Sequence, residues 1–307
     1  MKFYFAPMEG ITGYIYRNAH HLFFPGITRY MAPFITAGQK AELSSKDRND
    51  ILPEHNRDIF LVPQILTNNA ADFISTADKI KEFGYSEVNL NLGCPSGTVV
   101  AKGKGSGFLA KPEELDRFLD QIFEAVPMKI SIKTRIGRFE PEEFYELLPI
   151  FNRYPISELM IHPRVGQDFY RNKPNWDVFR YGLEQSKNPV CYNGDIFTVE
   201  DYERFVMEFP GAETIMLGRG LLGNPGLHEI IQGQKAMENG RLRDFHDCVY
   251  EGYQGILSGE KNVLFKMKEL WVYLIAMFPE QEKNAKQIKK AERLRDYEAV
   301  VRRMFLT

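Results

Sequence analysis

Cys94 is the residue of this chain whose setting is most suited to chemistry. It stands in a Gly-Cys-Pro sequence after a run of β-favouring residues, and a glycine-rich loop that contains Lys102 and Lys104 follows it. A free cysteine is usually a buried apolar residue, and we interpret Cys191 and Cys248 in that way. A thiol at the end of a strand, beneath a basic loop, is instead placed to exchange a proton with a bound substrate. We therefore predict that Cys94 is catalytic.

Other polar or small residues come directly after short apolar runs along the chain. In chain order these residues are Ala6, Pro7, Met8, Gln64, Asn91, Lys133, His162, Asn193, Gly194, Asp195, Gly218 and Arg219. A single lysine or histidine at the end of a strand is weak evidence, since it is often an ordinary polar group. If the strands all end at one rim, however, these residues form one binding site.

The elements that would position these residues alternate between strand and helix. Strands are predicted over 2–6, 27–32, 59–66, 86–91, 128–133, 157–162, 189–192 and 213–217. Helices are predicted over 13–23, 38–45, 69–83, 112–125, 141–153, 175–186, 198–208 and 224–232. Eight such units over roughly 250 residues predict a (β/α)₈ barrel, whose catalytic groups lie where strands end. A doubly wound open sheet is the main alternative, but residues 6–10 lack the GxGxxG turn expected after its first strand.

The chain changes character after about residue 240, where helix-favouring residues dominate. We predict a barrel domain over 1–238 and an all-helical domain over 239–307. The segment from residue 283 to residue 307 has eight basic residues against three acidic ones. Such a run is often a solvated helix face, but it is also the electrostatic pattern of a polyanion-binding surface.

The loops after the seventh and eighth predicted strands indicate the ligand. Both contain glycine and precede helices, as in the usual phosphate site of these barrels, and Arg219 would add positive charge. Gln64 could form paired hydrogen bonds with an imide-like edge. Lys133 would supply a fixed charge for the anion of a reduced flavin. These features favour an FMN site, although another phosphorylated ligand stays open.

Composition sets broad limits on the class of protein. The 307 residues are 44% hydrophobic and 26% charged, with a net charge of −2, which is typical of a globular protein with a sizeable core. The three scattered cysteines form neither a disulfide framework nor a metal knuckle, so we expect a reducing compartment and no metal site. No apolar run is long enough to span a membrane. We therefore expect a cytoplasmic protein.

Taken together, these motifs resemble the tRNA-dihydrouridine synthase family over the whole chain. The matching segments are 6–12, 91–96 with Val99, 105–107, 133–137, the loop at His162, 193–195 and 218–220. Two positions depart from the family pattern. The loop after His162 reads Pro-Arg-Val where many members have x-Arg-Thr, and Gly13 stands where an aspartate is common.

The resemblance implies an FMN-dependent enzyme that reduces the C5–C6 double bond of specific uridines in tRNA, with NADPH or NADH as the reductant. Hydride would reach C6 from the flavin, and Cys94 would protonate C5 as a general acid. The implied contacts to substrate RNA are Asn91, Lys102, Lys104, Arg135, His162, Arg164, Lys286, Lys290 and Arg293. We expect a monomer, since a monomer suits a large RNA ligand. The loop after the fifth strand, the short barrel and the basic C-terminal segment lean toward the bacterial subgroup that acts on position 16.

Three alternatives stay open from the sequence alone. A small-molecule FMN oxidoreductase of the dihydroorotate dehydrogenase type shares the barrel and the pyrimidine chemistry, but it does not require a basic helical domain. A non-catalytic RNA-binding protein could keep the barrel as a scaffold. A dihydrouridine synthase that acts on ribosomal RNA would carry the same motifs.

Overall fold

The computed structural model describes residues 1–38, 42–235 and 239–306. Its strands are β1 Lys2–Phe5, β2 Arg29–Thr36, β3 Leu61–Leu66, β4 Glu87–Leu92, β5 Lys129–Gly137, β6 Leu159–Val165, β7 Val190–Tyr192 and β8 Thr214–Leu217. Each strand pairs in parallel with the next, and β8 pairs with β1 to close the barrel. The predicted (β/α)₈ barrel is therefore confirmed, and the open-sheet alternative is wrong.

Helices connect the strands and cover the outside of the barrel. They are α1 Tyr14–Phe23, α2 Ser45–Ile51, α3 Ala70–Glu82, α4 Gly97–Val100, α5 Pro112–Ala125, α6 Phe144–Phe151, α7 Trp176–Gln185, α8 Val199–Glu208, α9 Arg219–Gly223 and α10 Leu227–Ile231. Several begin at the predicted signals. Pro112 opens α5 with two glutamates in its first turn, and Thr198 forms a capping box with Asp201 at the start of α8.

The helix predicted over 38–45 differs from the structure. Residues 39–41 of that prediction lie outside the described residues, and the described helix of this segment is α2, which begins at Ser45. The hydroxyl of Ser44 accepts a hydrogen bond from the amide of Asp47 at 3.1 Å. Serine at this position is a strong start signal because it satisfies an amide that the helix leaves free. That signal outweighs the weak apolar pattern before it.

Strands β5 and β6 extend beyond their predicted ends, to Gly137 and Val165. Their pairing shifts register between Arg135 and Gly137, opposite the segment that contains Pro163. A proline has no amide hydrogen for the ladder, so strands accept it at such irregularities. The extension makes Arg135 and Arg164 strand residues instead of loop residues.

The barrel interior is filled below its carboxyl-terminal rim. Its cluster of buried side chains is Tyr4, Ala6, Met31, Val62, Met160, Cys191 and Met216. At the opposite end, Arg29 bonds Glu87 at 2.9 Å and Glu158 at 3.4 Å. The barrel is therefore a packed core with one functional rim, as expected for this fold.

Four helices follow the barrel: α11 Asn239–Ile256, α12 Glu260–Leu274, α13 Glu282–Lys290 and α14 Leu294–Phe305. The inner face of α12 buries Val263, Leu264, Met267, Leu270, Trp271 and Leu274. The hydroxyl of Tyr297 joins three of these helices, since it bonds His246 at 2.6 Å and Trp271 at 2.9 Å. Among the described residues, no helix is sufficiently long and apolar to cross a membrane.

Candidate active site

The loop that carries Cys94 is held by Asn91, at the end of β4. The side-chain oxygen of Asn91 accepts hydrogen bonds from the amides of Gly93 at 3.0 Å and Cys94 at 2.9 Å. Its amide nitrogen donates to Gln64 at 2.7 Å. These bonds use the polar atoms that the predicted substrate contact would need. The geometry therefore favours Asn91 as a residue that positions the thiol.

The glycine-rich loop folds back onto the same cysteine. The carbonyl of Cys94 accepts hydrogen bonds from the amide of Ser106 at 3.0 Å and from its hydroxyl at 3.1 Å. Gly105 has a positive φ of +57°, and a Cβ there would lie 2.6 Å from the Cys94 carbonyl oxygen. A residue with a side chain would be both strained and obstructed at this position. The return of the loop to Cys94 therefore requires glycine.

The Cys94 thiol is suited to donate a proton. It is half-buried at the carboxyl-terminal end of β4, and this burial raises its pKa. A hydrogen bond from the Ser96 backbone and the charges of Arg135 and Lys133 act in the opposite direction, but they are smaller effects. A thiol with a raised pKa stays protonated at neutral pH. It can therefore act as an acid, but it is a poor thiolate nucleophile.

A cavity opens over the ends of β1 and β5 to β8. Cys94 is not among its lining residues, but the charge of Lys133, which lines it, acts on the Cys94 thiol. The lining residues of the cavity are Ala6, Pro7, Met8, Lys133, His162, Tyr170, Asn193, Gly194, Asp195, Ile196, Phe197, Gly218, Arg219 and Gly220. The structure thus brings together every predicted cofactor residue except Gln64. That side chain is 0% exposed and lies beneath Asn91, where it also donates to Asn89 at 2.7 Å.

His162 is a neutral side chain with one tautomer fixed by its neighbour. Burial, followed by the positive charges of Arg135, Lys133, Arg164 and Arg219, lowers its pKa well below the usual value. Arg164 lies 3.1 Å from Nε2, and a guanidinium can only donate, so Nε2 accepts. The proton of the neutral ring is then on Nδ1. Within the described part of the chain, Nδ1 has no hydrogen-bond partner, so it is free to donate to a ligand.

Asp195 lies between two arginines at the cavity wall. Arg164 binds both of its carboxylate oxygens, and Arg219 binds one of them at 2.6 Å. Arg164 also donates to the carbonyl of Asn172 at 2.5 Å and is almost fully buried. This arrangement favours Arg164 as a positioning residue over the predicted contact with RNA. The more exposed Arg219 lines the cavity.

Arg135 is also buried, with 1% of its surface exposed. It donates to the carbonyls of Gly93 at 3.0 Å, Val165 at 2.7 Å and Phe169 at 2.6 Å. These carbonyls belong to the cysteine loop, the end of β6 and the loop that follows β6. Arg135 therefore joins three rim segments, which favours a positioning role over the predicted contact with RNA.

Two aromatic residues of the cavity are absent from the sequence prediction. The guanidinium of Arg219 lies over the ring of Tyr170 at 4.3 Å and over that of Phe197 at 5.2 Å. Phe169, which precedes Tyr170, is the one described non-glycine residue with positive φ, at +52°. The only sequence signal for this loop is an aromatic pair in a polar segment, and it identifies no ligand.

The glycines of the last two loops have a different physical reason from the predicted approach to phosphate. A Cβ at Gly194 would lie 2.1 Å from the Tyr192 hydroxyl, and one at Gly220 would lie 2.2 Å from the carbonyl of Ile196. Both glycines are therefore required by packing within the protein. Their loops still line the cavity.

The predicted RNA-binding lysines do not line the cavity. Lys102 is exposed on the loop after Cys94, and Lys104 donates to the carbonyl of Ala37 at 3.4 Å. Lys286 pairs loosely with Glu282 at 3.8 Å on the surface of α13. Lys290 is exposed at the end of the same helix.

Comparison with known proteins places these features in a family. A family model described as dihydrouridine synthase matches residues 4–304. The tRNA-dihydrouridine synthase B of Pasteurella multocida is 26% identical over 232 residues, which cover 75% of this chain and 69% of that protein. The tRNA-dihydrouridine(16) synthase of Pseudomonas putida is 29% identical over 257 residues, which cover 81% of this chain and 79% of that protein.

Among solved structures, the old yellow enzyme homologue from Zymomonas mobilis has a TM-score of 0.56 at 10% identity. The match covers 78% of this chain and 90% of that chain, and it shows likeness of fold. Morphinone reductase, solved in complex with tetrahydroNAD, has a TM-score of 0.55 at 12% identity, covering 77% and 88% of the two chains. Family membership comes from the sequence match, which spans nearly the whole chain: the protein belongs to the dihydrouridine synthase family of oxidoreductases.

Proposed function

We propose that this protein reduces the C5–C6 double bond of uridine in tRNA and so forms 5,6-dihydrouridine. The observation that carries the proposal is the half-buried Cys94 thiol of raised pKa after β4, at the same end of the barrel as a cavity whose lining includes Lys133 and Arg219. Membership of the family and the names of its tRNA-modifying relatives support it. The relatives named for position 16 make that position the first one to examine.

The cavity residues fit FMN as the cofactor. Lys133 donates no hydrogen bond to any described residue, so its ammonium is available to an anionic ring edge or phosphate. Arg219 and the Nδ1–H of His162 supply further donors at the same cavity. When bound, FMN would supply the hydride equivalent that originates from NADPH. Asn193 and the loops around Gly194 and Gly218 would hold its phosphate side.

Reduction of uracil adds a hydride at C6 and a proton at C5. We assign the proton to Cys94, whose S–H bond breaks as the C5–H bond forms. The resulting thiolate regains a proton from solvent. Asn91 and Ser106 fix the backbone of this residue from both sides, so the thiol has a defined position when the base arrives. Pre-positioning of the acid avoids an ordering cost during reaction.

The substrate base must leave the RNA stack to reach this rim. Enzymes that act on a base inside folded RNA extrude it into the active site. Exposed Lys102 and the basic residues Lys286, Lys290 and Arg293 would bind phosphates of the surrounding RNA. The helical domain also argues against a free pyrimidine as the substrate, since a small molecule does not require it. Dihydrouridine formation in ribosomal RNA instead of tRNA would make ribosomal RNA the substrate.

The proposal is tested by Cys94→Ala, with Cys248→Ala as the matched control. We expect Cys94→Ala to bind FMN and to accept electrons from NADPH, but to form dihydrouridine in a tRNA transcript at least about a hundredfold more slowly, the usual size of a general-acid effect. The control should retain activity. Near-normal product formation by Cys94→Ala would refute the acid assignment. Mapping dihydrouridine in tRNA and ribosomal RNA from cells without the protein would identify the substrate RNA and position.

A further inference from the structure

We propose that an outward groove on α12 binds the backbone and one unstacked base of the RNA that presents the target uridine. This groove, called the α12 groove below, is defined by Lys261, Phe265 and Lys268 on one side and Arg293 on the other. The inference rests on the proposed function. It adds residues that the sequence did not single out, since only Arg293 was among the predicted RNA contacts.

The outward face of α12 combines positive charge with exposed apolar surface. Lys261, Phe265, Lys268 and Val272 follow one another at intervals of three or four residues, so they lie on one side of the helix. Phe265 is 60% exposed and Val272 is 69% exposed. Isolated exposed apolar residues are ordinary. An exposed aromatic ring between two lysines is the combination that single-stranded RNA sites use, and the ammonium of Lys266 lies 5.8 Å from the centre of this ring.

The opposite wall of the α12 groove is the turn between α13 and α14. The ammonium of Lys268 donates to the carbonyl of Ala291 at 2.5 Å, which fixes the wall to the helix. Lys261, Lys268 and Arg293 have no carboxylate within 4 Å among the described residues. Glu260 and Glu292 also line the groove, so it carries one net positive charge. No contacting carboxylate thus neutralises these three cations, and Lys268 keeps two further N–H groups for a phosphate.

The α12 groove belongs to the helix that crosses the active-site rim. Lys266, the neighbour of Phe265, donates to the carbonyl of Gly10 at 2.7 Å, in the loop after β1. At the other end of the helix, a Cβ on Gly223 of α9 would lie 3.7 Å from the carbonyl of Tyr273. The helix therefore runs from the first rim loop to the segment after β8. RNA that inserts a base at the rim must pass close to α12.

The spacing suits successive nucleotides. Lys261 and Lys268 are seven residues apart, which places their backbones about 10 Å apart along the helix. They would therefore contact different phosphates, and Phe265 lies between them. Lys290 lies instead in an adjoining groove with Asp296 and Arg303, which shares Ala291 and Glu292 with the α12 groove. Of the predicted RNA contacts in the helical region, Arg293 thus lines the α12 groove and Lys290 lines the adjoining one.

The test measures binding of an unmodified tRNA transcript to full-length protein as a function of salt concentration. We expect Lys261→Gln with Lys268→Gln to make the slope of log affinity against log salt less steep by about two, since each phosphate contact contributes about one. Phe265→Leu should weaken binding roughly tenfold, as expected for one lost base stack, whereas Phe265→Tyr should bind normally. Lys129→Gln with Lys187→Gln, at the opposite end of the barrel, is the matched control.

The outcomes separate this inference from the proposed function. If the wild type forms dihydrouridine, and if the Lys261→Gln single variant and Phe265→Leu bind RNA normally, the α12 groove is refuted while the function stands. If the wild type neither binds nor reduces tRNA, the proposed function fails. A loss of folding in the double variant, detected by circular dichroism, leaves the Phe265→Leu and Phe265→Tyr pair to decide. The lysine variants and Phe265→Leu should show a raised KM for tRNA with the wild-type kcat, whereas Phe265→Tyr should match the wild type in both.

Discussion

At the scale of single residues, Lys133 differs from the other cations around the cavity. Arg164 and Arg219 are bound to Asp195, and Arg135 is bound to three carbonyls. Lys133 has no such partner within the described chain. Burial, reinforced by the positive charge of Arg135, lowers its pKa to about 8. Its charge can therefore change near physiological pH, and an anionic ligand would raise the pKa again.

This difference predicts a pH dependence of the flavin potential. Below pH 8 Lys133 is charged, and above pH 8 it is neutral until an anionic reduced flavin restores its proton. Reduction should therefore take up one additional proton above pH 8. The midpoint potential should fall more steeply there, by about 30 mV per pH unit for a two-electron couple. Lys133→Met should lower the potential and remove the added slope.

Equilibrium titration with reference dyes on both sides of pH 8 measures these slopes. Lys102→Met, on an exposed loop, is the control and should keep the wild-type profile. An unchanged potential in Lys133→Met would show that the ammonium does not face the reduced ring.

The sequence indicated which residue types gather at the rim, but it did not define their roles. Asn91, Arg135 and Arg164 were expected to contact RNA, because the family resemblance implied such contacts at the barrel mouth. The partners of Arg135 are three backbone carbonyls, and every residue has a carbonyl. Only the folded path of the loops shows which carbonyls converge. Positioning roles of this kind therefore escape a reading of side-chain types.

At the scale of elements, the start of α1 explains the glycine at position 13. Gly13 is the N-cap of α1 and provides no side-chain cap. The carboxylate of Asp50, from α2, instead accepts a hydrogen bond from the amide of Tyr14 at 2.7 Å. It also pairs with the buried Arg17 at 3.0 Å. A Cβ on Gly13 would lie 3.2 Å from this carboxylate, so Asp50 occupies the place of a local aspartate cap.

This substitution of one cap for another can be tested by a double-mutant cycle. We expect Asp50→Ala to lower stability by about 1 kcal/mol for the lost cap, and by more because Arg17 loses its counterion. Gly13→Asp alone should destabilise, since two carboxylates would then crowd one helix start. In the Asp50→Ala background, Gly13→Asp should restore part of the stability that Asp50→Ala loses. Urea unfolding measures the free energy of unfolding of the wild type, the two single variants and the double variant. If the effects of the two substitutions simply add, an aspartate at position 13 does not replace the Asp50 cap.

At the scale of the whole molecule, the alternation of strands and helices was sufficient to predict the barrel and the helical region after it. Each element carries its own local signals, such as Pro112 and Thr198, and the order of elements restricts the topology. The contact between the two regions could not be predicted. It depends on pairs such as Lys266 with Gly10, which are 256 residues apart. No local pattern specifies such a pair.

Docking of α11 on α1 provides the last prediction, because two glycines of α11 differ in their surroundings. A Cβ on Gly252 would lie 2.6 Å from Cγ2 of Ile15, whereas one on Gly255 would meet nothing within 4 Å. Alanine favours a helix over glycine by about 1 kcal/mol, so Gly255→Ala should stabilise. Gly252→Ala gains the same propensity but must overpack Ile15, which costs about 1–3 kcal/mol.

Thermal unfolding should therefore show a higher midpoint for Gly255→Ala and a lower one for Gly252→Ala. Ile15→Ala removes the opposing methyl groups. It should therefore lower the unfolding midpoint less in the Gly252→Ala background than in the wild type. Equal stabilisation by both glycine substitutions would mean that α11 can move away from α1 without loss. The expected difference between the two variants instead measures how firmly the helical region is fixed to the active-site rim.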